Sequence, residues 1–195
     1  YEVHADYVVN ASGPWTNRVA QLAGIEIPMV LSKGTMVVLD SRPTRRVINR
    51  CRFPSDGDII VPVGTTIVLG TTSVTIEDPD SFCAEEWEIY EVLEEGIEMV
   101  PVIENMEIQR CYAGVRPLYE PPEELGDVEE GREVSRAHFV LDHEELDGVG
   151  GFITITGGKV TTFRLMAEDT ADLVCEKMGI NEPCRTHLEP LPLGE

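Results

Sequence analysis

The sequence predicts an α/β domain interrupted by an α+β insertion, and two observations carry that prediction. A strand, a small-residue turn and a helix open the chain and recur near its end, while the stretch between them is β-rich with one long helix. The outer units are expected to be neighbours in one sheet. Each would then set a helix N-terminus at the sheet's carboxyl edge, where anionic cofactors bind in open α/β folds.

Tyr7, Val8 and Val9 read as a short buried strand ending at Asn10-Ala11-Ser12-Gly13. Pro14 suits a first helical position, because the N–H it lacks would have no intrahelical partner there. Trp15, Val19 and Leu22 follow at helical spacing, and Gly24 can close the helix. Met29 to Leu39, rich in Val, Leu and Thr, reads as a strand. Asp58–Val63 and Thr66–Thr72 read as a hairpin turned at Gly64. From Ala84 to Val100 the period becomes helical: Trp87, Tyr90, Leu93, Ile97 and Val100 share one face, glutamates fill the other, and Pro101 ends it. Strands are expected again at Glu107–Tyr112 and Ala137–Leu141, flanking an acidic loop, Glu120–Glu133. Phe152–Thr156 is a short apolar strand leading into Gly157-Gly158-Lys159. A helix follows from about Thr161 to Met178, with Phe163, Met166, Ala167, Thr170 and Val174 inward and Gly179 as its stop. After Asn181 the chain is Pro-rich and reads as a tail. The sequence begins at Tyr1 inside what reads as a strand, so the chain is expected to be a piece of a longer protein.

A formal net charge of −21 with no basic run argues against nucleic-acid binding, which needs cations to displace counterions from phosphates. No apolar run approaches the roughly 20 residues that span a bilayer. An acid-rich, lysine-poor composition fits a saline cytoplasm as well as an ordinary charged surface, and the excess of Glu over Asp favours the latter. The five cysteines are widely spaced with no Cys-x-x-Cys pair, and no histidine sits at metal-ligand spacing, so free thiols in a reducing cytoplasm and no metal site are expected.

In so acidic a chain the cations beside glycines stand out. Arg116 lies in Ala113-Gly114-Val115-Arg116-Pro117, Arg136 precedes Ala137-His138, and Lys159 and Arg164 lie in the segment from Gly157 to Arg164. A small phosphorylated substrate needs several fixed donors, and arginine supplies them as a planar fork. Each arginine could equally pair with a surface carboxylate, and spacing alone does not choose. Gly157-Gly158 either cradles a cofactor or simply allows a tight turn; neither a P-loop nor Gly-x-Gly-x-x-Gly is present.

At these residues a resemblance becomes specific. Gly157 to Glu168 (Gly-Gly-Lys-Val-Thr-Thr-Phe-Arg-Leu-Met-Ala-Glu) resembles the C-terminal flavin signature of the flavin-dependent glycerol-3-phosphate dehydrogenases. Ala113 to Leu118 resembles that family's Gly-Val-Arg-Pro motif, and Val9 to Trp15 resembles the turn of its flavin domain. Val47 to Arg52 and Pro54-Ser55-Asp56 are most similar to the catalytic subunit of its anaerobic members. The likeness runs from about Tyr7 to Cys184 in the family's order.

The resemblance implies a β-rich substrate-binding domain with one long helix, inserted between the last strand–turn–helix units of an FAD-binding Rossmann-like domain. Residues 1–26 and 151–180 would be pieces of the FAD domain, 27–150 the substrate domain, and 181–195 a tail. It implies oxidation of sn-glycerol 3-phosphate to dihydroxyacetone phosphate, with electrons passing through FAD to a quinone by way of partner subunits. Arg116 and Arg136 would grip the substrate phosphate, and Lys159 would lie by the flavin and the reacting end of the substrate. Ala11, Ser12, Gly13, Gly157, Gly158, Lys159, Val160 and Thr161 would line the cofactor, with the amides of residues 158–161 facing the flavin's pyrimidine ring. A cytoplasmic protein is implied, at the inner face of the membrane in the intact complex. The family's N-terminal Rossmann unit and the C-terminal extension of the anaerobic catalytic subunit are not in this sequence, so the piece alone is expected to hold FAD poorly and to be inactive. His138 is a candidate general base. An amine or 2-hydroxy-acid oxidase of the same fold, or a binding module without catalysis, are the competing readings.

Overall fold

The computed structural model describes residues 1–53, 55–121 and 137–189. In chain order the elements are β1 (Val8–Asn10), α1 (Thr16–Gln21), β2 (Met29–Leu39), β3 (Ile48–Asn49), β4 (Ile59–Val63), β5 (Thr66–Gly70) and β6 (Val74–Ile76). There follow α2 (Glu86–Met99), β7 (Ile108–Tyr119), β8 (His138–Asp142), α3 (His143–Asp147), β9 (Phe152–Gly157) and α4 (Phe163–Lys177). The described residues of Tyr1–Met29 and Ser135–Glu195 form one compact unit, and those of Val30–Val134 another.

The first unit holds a sheet of order β1-β9-β8. β1 runs parallel to β9, with Val8 opposite Phe152 and Asn10 opposite Thr154, so the two outer strand–turn–helix units are sheet neighbours. β9 lies between two partners and is buried at all six positions. β8 pairs antiparallel with β9 from His138↔Gly157 to Asp142↔Ile153. That ladder draws β8 and α3 out of the expected 27–150 domain and into the first unit, because a strand edge left unpaired would forfeit its backbone hydrogen bonds. Lys177, near the end of α4, pairs with Asp142 at 2.5 Å and Glu144 at 2.8 Å, tying the helix to β8 and α3. Of the α4 residues expected inward, Thr170 is buried, whereas Phe163 is 66% exposed. The stripe instead lines an open groove, described below.

The second unit is a six-stranded sheet around β2, which pairs with β5 along Met36–Leu39, with β6 along Leu31–Lys33, and with β7. Val37, Leu39, Ile60, Ile67, Leu69 and Val92 are wholly buried in its core. Each such side chain contributes about 1.5–3 kcal/mol of burial. α2 spans the predicted segment, and Leu93, Ile97 and Val100 of the predicted face pack against the core, but Trp87 and Tyr90 do not. Its buried positions are Glu88, Val92 and Gly96, while Trp87 is 52% and Tyr90 59% exposed. The cause is an ion pair: Glu88 faces the sheet to meet Lys33, and this turns the aromatics at its flanks outward. Gly96 marks the closest approach, since a Cβ there would sit 2.9 Å from Leu69 Cδ1.

Candidate functional site

Because β1 and β9 are parallel neighbours, the turns that follow them, Ala11-Ser12-Gly13 and Gly157-Gly158-Lys159, emerge at the same sheet edge. Both lead directly into helical turns, Gly13–Trp15 and Val160–Thr162, and from these into α1 and α4. Asn10, 2% exposed, organises the first turn: its side chain donates to Thr16 O (3.0 Å) and accepts from Ser12 N–H (3.3 Å) and the Ser12 hydroxyl (2.6 Å).

The glycine pair of the second turn is required by conformation and space together. Both residues have positive φ, +72° and +73°, and a Cβ at Gly158 would sit 2.6 Å from Met166 Sδ. The Gly158 N–H donates to Ala137 O (2.9 Å), and the Lys159 N–H to Thr162 Oγ1 (3.1 Å). Two of the four amides expected to face a cofactor are therefore engaged within the protein, because the tight turn satisfies them locally. The amides of Val160 and Thr161 open the helical turn and have no acceptor among the described residues. Lys159 is exposed and has no ion-pair partner among the described residues.

A groove of about 580 Å³ runs along α4 in the same unit. Val9, Ala11, Ile155, Phe163, Met166 and Ala167 form much of its wall, which is almost wholly apolar. The apolar stripe read from the sequence of α4 is thus real, and it faces this groove.

Arg116, on β7, belongs to the second unit. Its guanidinium donates to the hydroxyls of Ser32 (3.2 Å) and Thr71 and to Thr72 O (3.2 Å). These contacts hold the group in one orientation. It crosses β2 at Gly34, where a Cβ would lie 2.8 Å from Arg116 Cζ. Thr72 links this group to the buried Lys33–Glu88 pair, Nζ to Oε2 2.8 Å, with side-chain exposures of 6% and 0%. Glu88 also accepts from the Thr72 hydroxyl (2.7 Å) and Glu85 N–H (3.0 Å), and Lys33 donates to Cys83 O (2.9 Å). Burial pushes the Glu88 carboxyl up, but the hydrogen bonds from Lys33, Thr72 and Glu85 outweigh it and hold the group below the usual carboxylate range.

Sequence reasoning missed Ser32, Gly34, Thr71 and Thr72, although a glycine inside a strand is the signal of a close approach. Arg136, the acidic loop from 122 to 133, Pro54 and the tail from 190 lie outside the described residues. His138 lies on β8 with Nε2 2.6 Å from Asp169 Oδ2 on α4. His143 was missed altogether; it is 1% exposed, with Nδ1 2.6 Å from Asp147 and Nε2 2.8 Å from Thr154 Oγ1. All five cysteines are free. No group of His, Cys, Asp and Glu among the described residues could hold a metal ion, and no helix among them is long and apolar enough to cross a membrane.

The chain is 44% identical over its whole length to a subunit of the anaerobic glycerol-3-phosphate dehydrogenase of Haloferax volcanii, covering 33% of that protein. It is 46% identical to a subunit of the anaerobic glycerol-3-phosphate dehydrogenase of Escherichia coli K12, a match covering 97% of this chain and 35% of that one. The chain thus spans about a third of the length of the curated relatives it matches. The structure of Bacillus halodurans glycerol-3-phosphate dehydrogenase complexed with FAD superposes with a TM-score of 0.71 at 29% identity, covering 94% of this chain and 34% of that one. The family model described as FAD dependent oxidoreductase matches residues 1–173, and the chain belongs to that family.

Proposed function

We propose that these residues are part of an enzyme that oxidises sn-glycerol 3-phosphate to dihydroxyacetone phosphate, with FAD as the acceptor. The observation that carries the substrate is Arg116, a cation held in one orientation by Ser32 and Thr72 oxygens in a chain of net charge −21. A phosphate dianion is the natural complement of such a fork. Arg136 is assigned to the same role by its motif alone.

The residues of the first unit fit FAD. Val160 and Thr161 offer amides without acceptors among the described residues, Lys159 adds an exposed ammonium, and Val9, Ala11 and Ile155 offer an apolar wall. Such donors suit a flat ring that is apolar on its faces and carries acceptors on one edge. When bound, FAD supplies the two-electron acceptor for the hydride lost from the secondary alcohol carbon; the hydroxyl proton leaves separately, giving the ketone. Lys159 and the Val160 and Thr161 amides would hold negative charge at the acceptor edge. Arg116 and Arg136 would anchor the phosphate, so that remote binding energy orients the reacting carbon. His138, with Nε2 facing Asp169, would stand beside the glycine turn. The same reading assigns a quinone as the final acceptor, reached through partner subunits, and a cytoplasmic enzyme at the inner face of the membrane.

The test uses the full-length protein loaded with FAD, without oxygen. Loss of the oxidised flavin's visible absorbance on adding glycerol 3-phosphate, but not glycerol, amino acids or 2-hydroxy acids, is the expected result. Arg116→Ala should lose about 2–4 kcal/mol of transition-state binding, read as kcat/KM. Bleaching by an amino acid instead would replace this substrate by an amine, and an unresponsive flavin would remove it.

A further inference from the structure

Asn10, Thr154, His143 and Asp147 form one hydrogen-bonded line across the first unit. Asp147 Oδ2 lies 2.6 Å from His143 Nδ1, His143 Nε2 lies 2.8 Å from Thr154 Oγ1, and Asn10 Nδ2 lies 3.4 Å from that same hydroxyl. Thr154 is 0% exposed, and the His143 ring stacks on Phe152 with centroids 5.0 Å apart. A carboxylate can only accept, so the nitrogen facing Asp147 carries the proton. In the neutral ring Nε2 then accepts from the Thr154 hydroxyl. With its hydrogen directed to His143, the Thr154 oxygen is left as an acceptor and faces the amide nitrogen of Asn10. The line therefore has one direction, from Asn10 through Thr154 and His143 to Asp147.

An acid, an imidazole and a hydroxyl in this order also describe an activated nucleophile. Full burial of Thr154 excludes that role, since no reacting group can reach it. What the line does reach is the Asn10–Gly13 turn. With Nδ2 turned toward Thr154 and Thr16 O, Asn10 presents Oδ1 to the backbone N–H and hydroxyl of Ser12. An inverted amide would set a donor against the Ser12 N–H and an acceptor against Thr16 O, leaving both unpaired.

We propose that His143, oriented by Asp147, is a positioning residue: acting through Thr154, it fixes the Asn10 side chain and with it the turn that receives the cofactor. The assignment of FAD to that turn rests on the proposed function; the fixing of the turn does not.

The test uses the full-length protein and two readouts, the FAD dissociation constant of the apoprotein and the hydrogen-exchange rate of its Ser12 amide. Thr154→Val keeps the side-chain shape and removes the hydroxyl. It should weaken FAD binding about tenfold, the scale of one lost buried hydrogen bond, and speed exchange at Ser12. Thr154→Ser should restore both to within about twofold, which a packing role for Thr154 would not do. His143→Gln should match Thr154→Val, and the double variant should be no weaker than either, because the residues act in series. Wild-type affinity and wild-type exchange in Thr154→Val and His143→Gln would overturn the positioning role. Wild-type protein that takes up no FAD would instead overturn the cofactor assignment, while the exchange data still decide whether the line holds the turn.

Discussion

Removing the cation from the buried Lys33–Glu88 pair tests how the second unit is held together. In Lys33→Met the aliphatic stem is kept, but Glu88, 0% exposed, loses the Nζ contact at 2.8 Å and is left to neutral donors such as the Thr72 hydroxyl and Glu85 N–H. Breaking one side of a buried pair costs about 3–5 kcal/mol, because the charge left behind is uncompensated. The chain has two tryptophans, and they fall one in each unit, Trp15 and Trp87. Urea unfolding followed by Trp87 fluorescence in a Trp15→Phe background therefore reports on the second unit. The pH dependence carries a sign. In the wild type the Glu88 carboxyl is held low, so its contribution is present above the unfolded value of about 4.3 and is lost as pH falls through the lower folded value. Without Lys33, burial dominates and raises the folded value, so the variant's deficit should be largest near neutrality and shrink toward about pH 5. Lys33→Met/Glu88→Met should recover much of the loss, since two apolar side chains leave no buried charge. A deficit below about 1 kcal/mol at pH 7, or one that does not change with pH, would refute the account.

Two further outcomes follow from the same geometry. Gly34→Ala would place a Cβ 2.8 Å from Arg116 Cζ, and displacing a side chain held by hydrogen bonds costs less than moving strand backbone. Urea stability should therefore hold to within about 1 kcal/mol while kcat/KM for glycerol 3-phosphate falls toward that of Arg116→Ala, and combining the two should cost nothing further. With a net charge of −21, self-repulsion destabilises the folded chain, so raising salt from 0.1 M to 1 M, which shortens the screening length from about 10 Å to about 3 Å, should raise the urea midpoint. A midpoint that falls with salt would mean that ion pairs such as Arg50–Glu95 and Arg52–Asp58 outweigh the repulsion.

The sequence by itself determined the order of strands and helices, the bracketing of an insertion by two strand–turn–helix units, and the family. These features are local or carried by short motifs: a run rich in Val, Leu and Thr makes β2, a Pro-led turn starts the first helix, and Gly157-Gly158 can make the turn before α4. Its pattern also marked the apolar stripe of α4, though not that the stripe would line an open groove. Tertiary structure alone decided the rest. β3, β6 and α3 span two, three and five residues and are too short for a periodic signal. β8 joined the first unit because β9 offered it a ladder from His138 to Asp142. The face of α2 was set by Lys33, 55 positions away from Glu88 (88 minus 33), and pairing a buried charge outranked burying Trp87 and Tyr90. The line from Asn10 to Asp147 likewise joins residues from β1, β9 and α3, so its meaning exists only once parallel pairing has set Asn10 opposite Thr154.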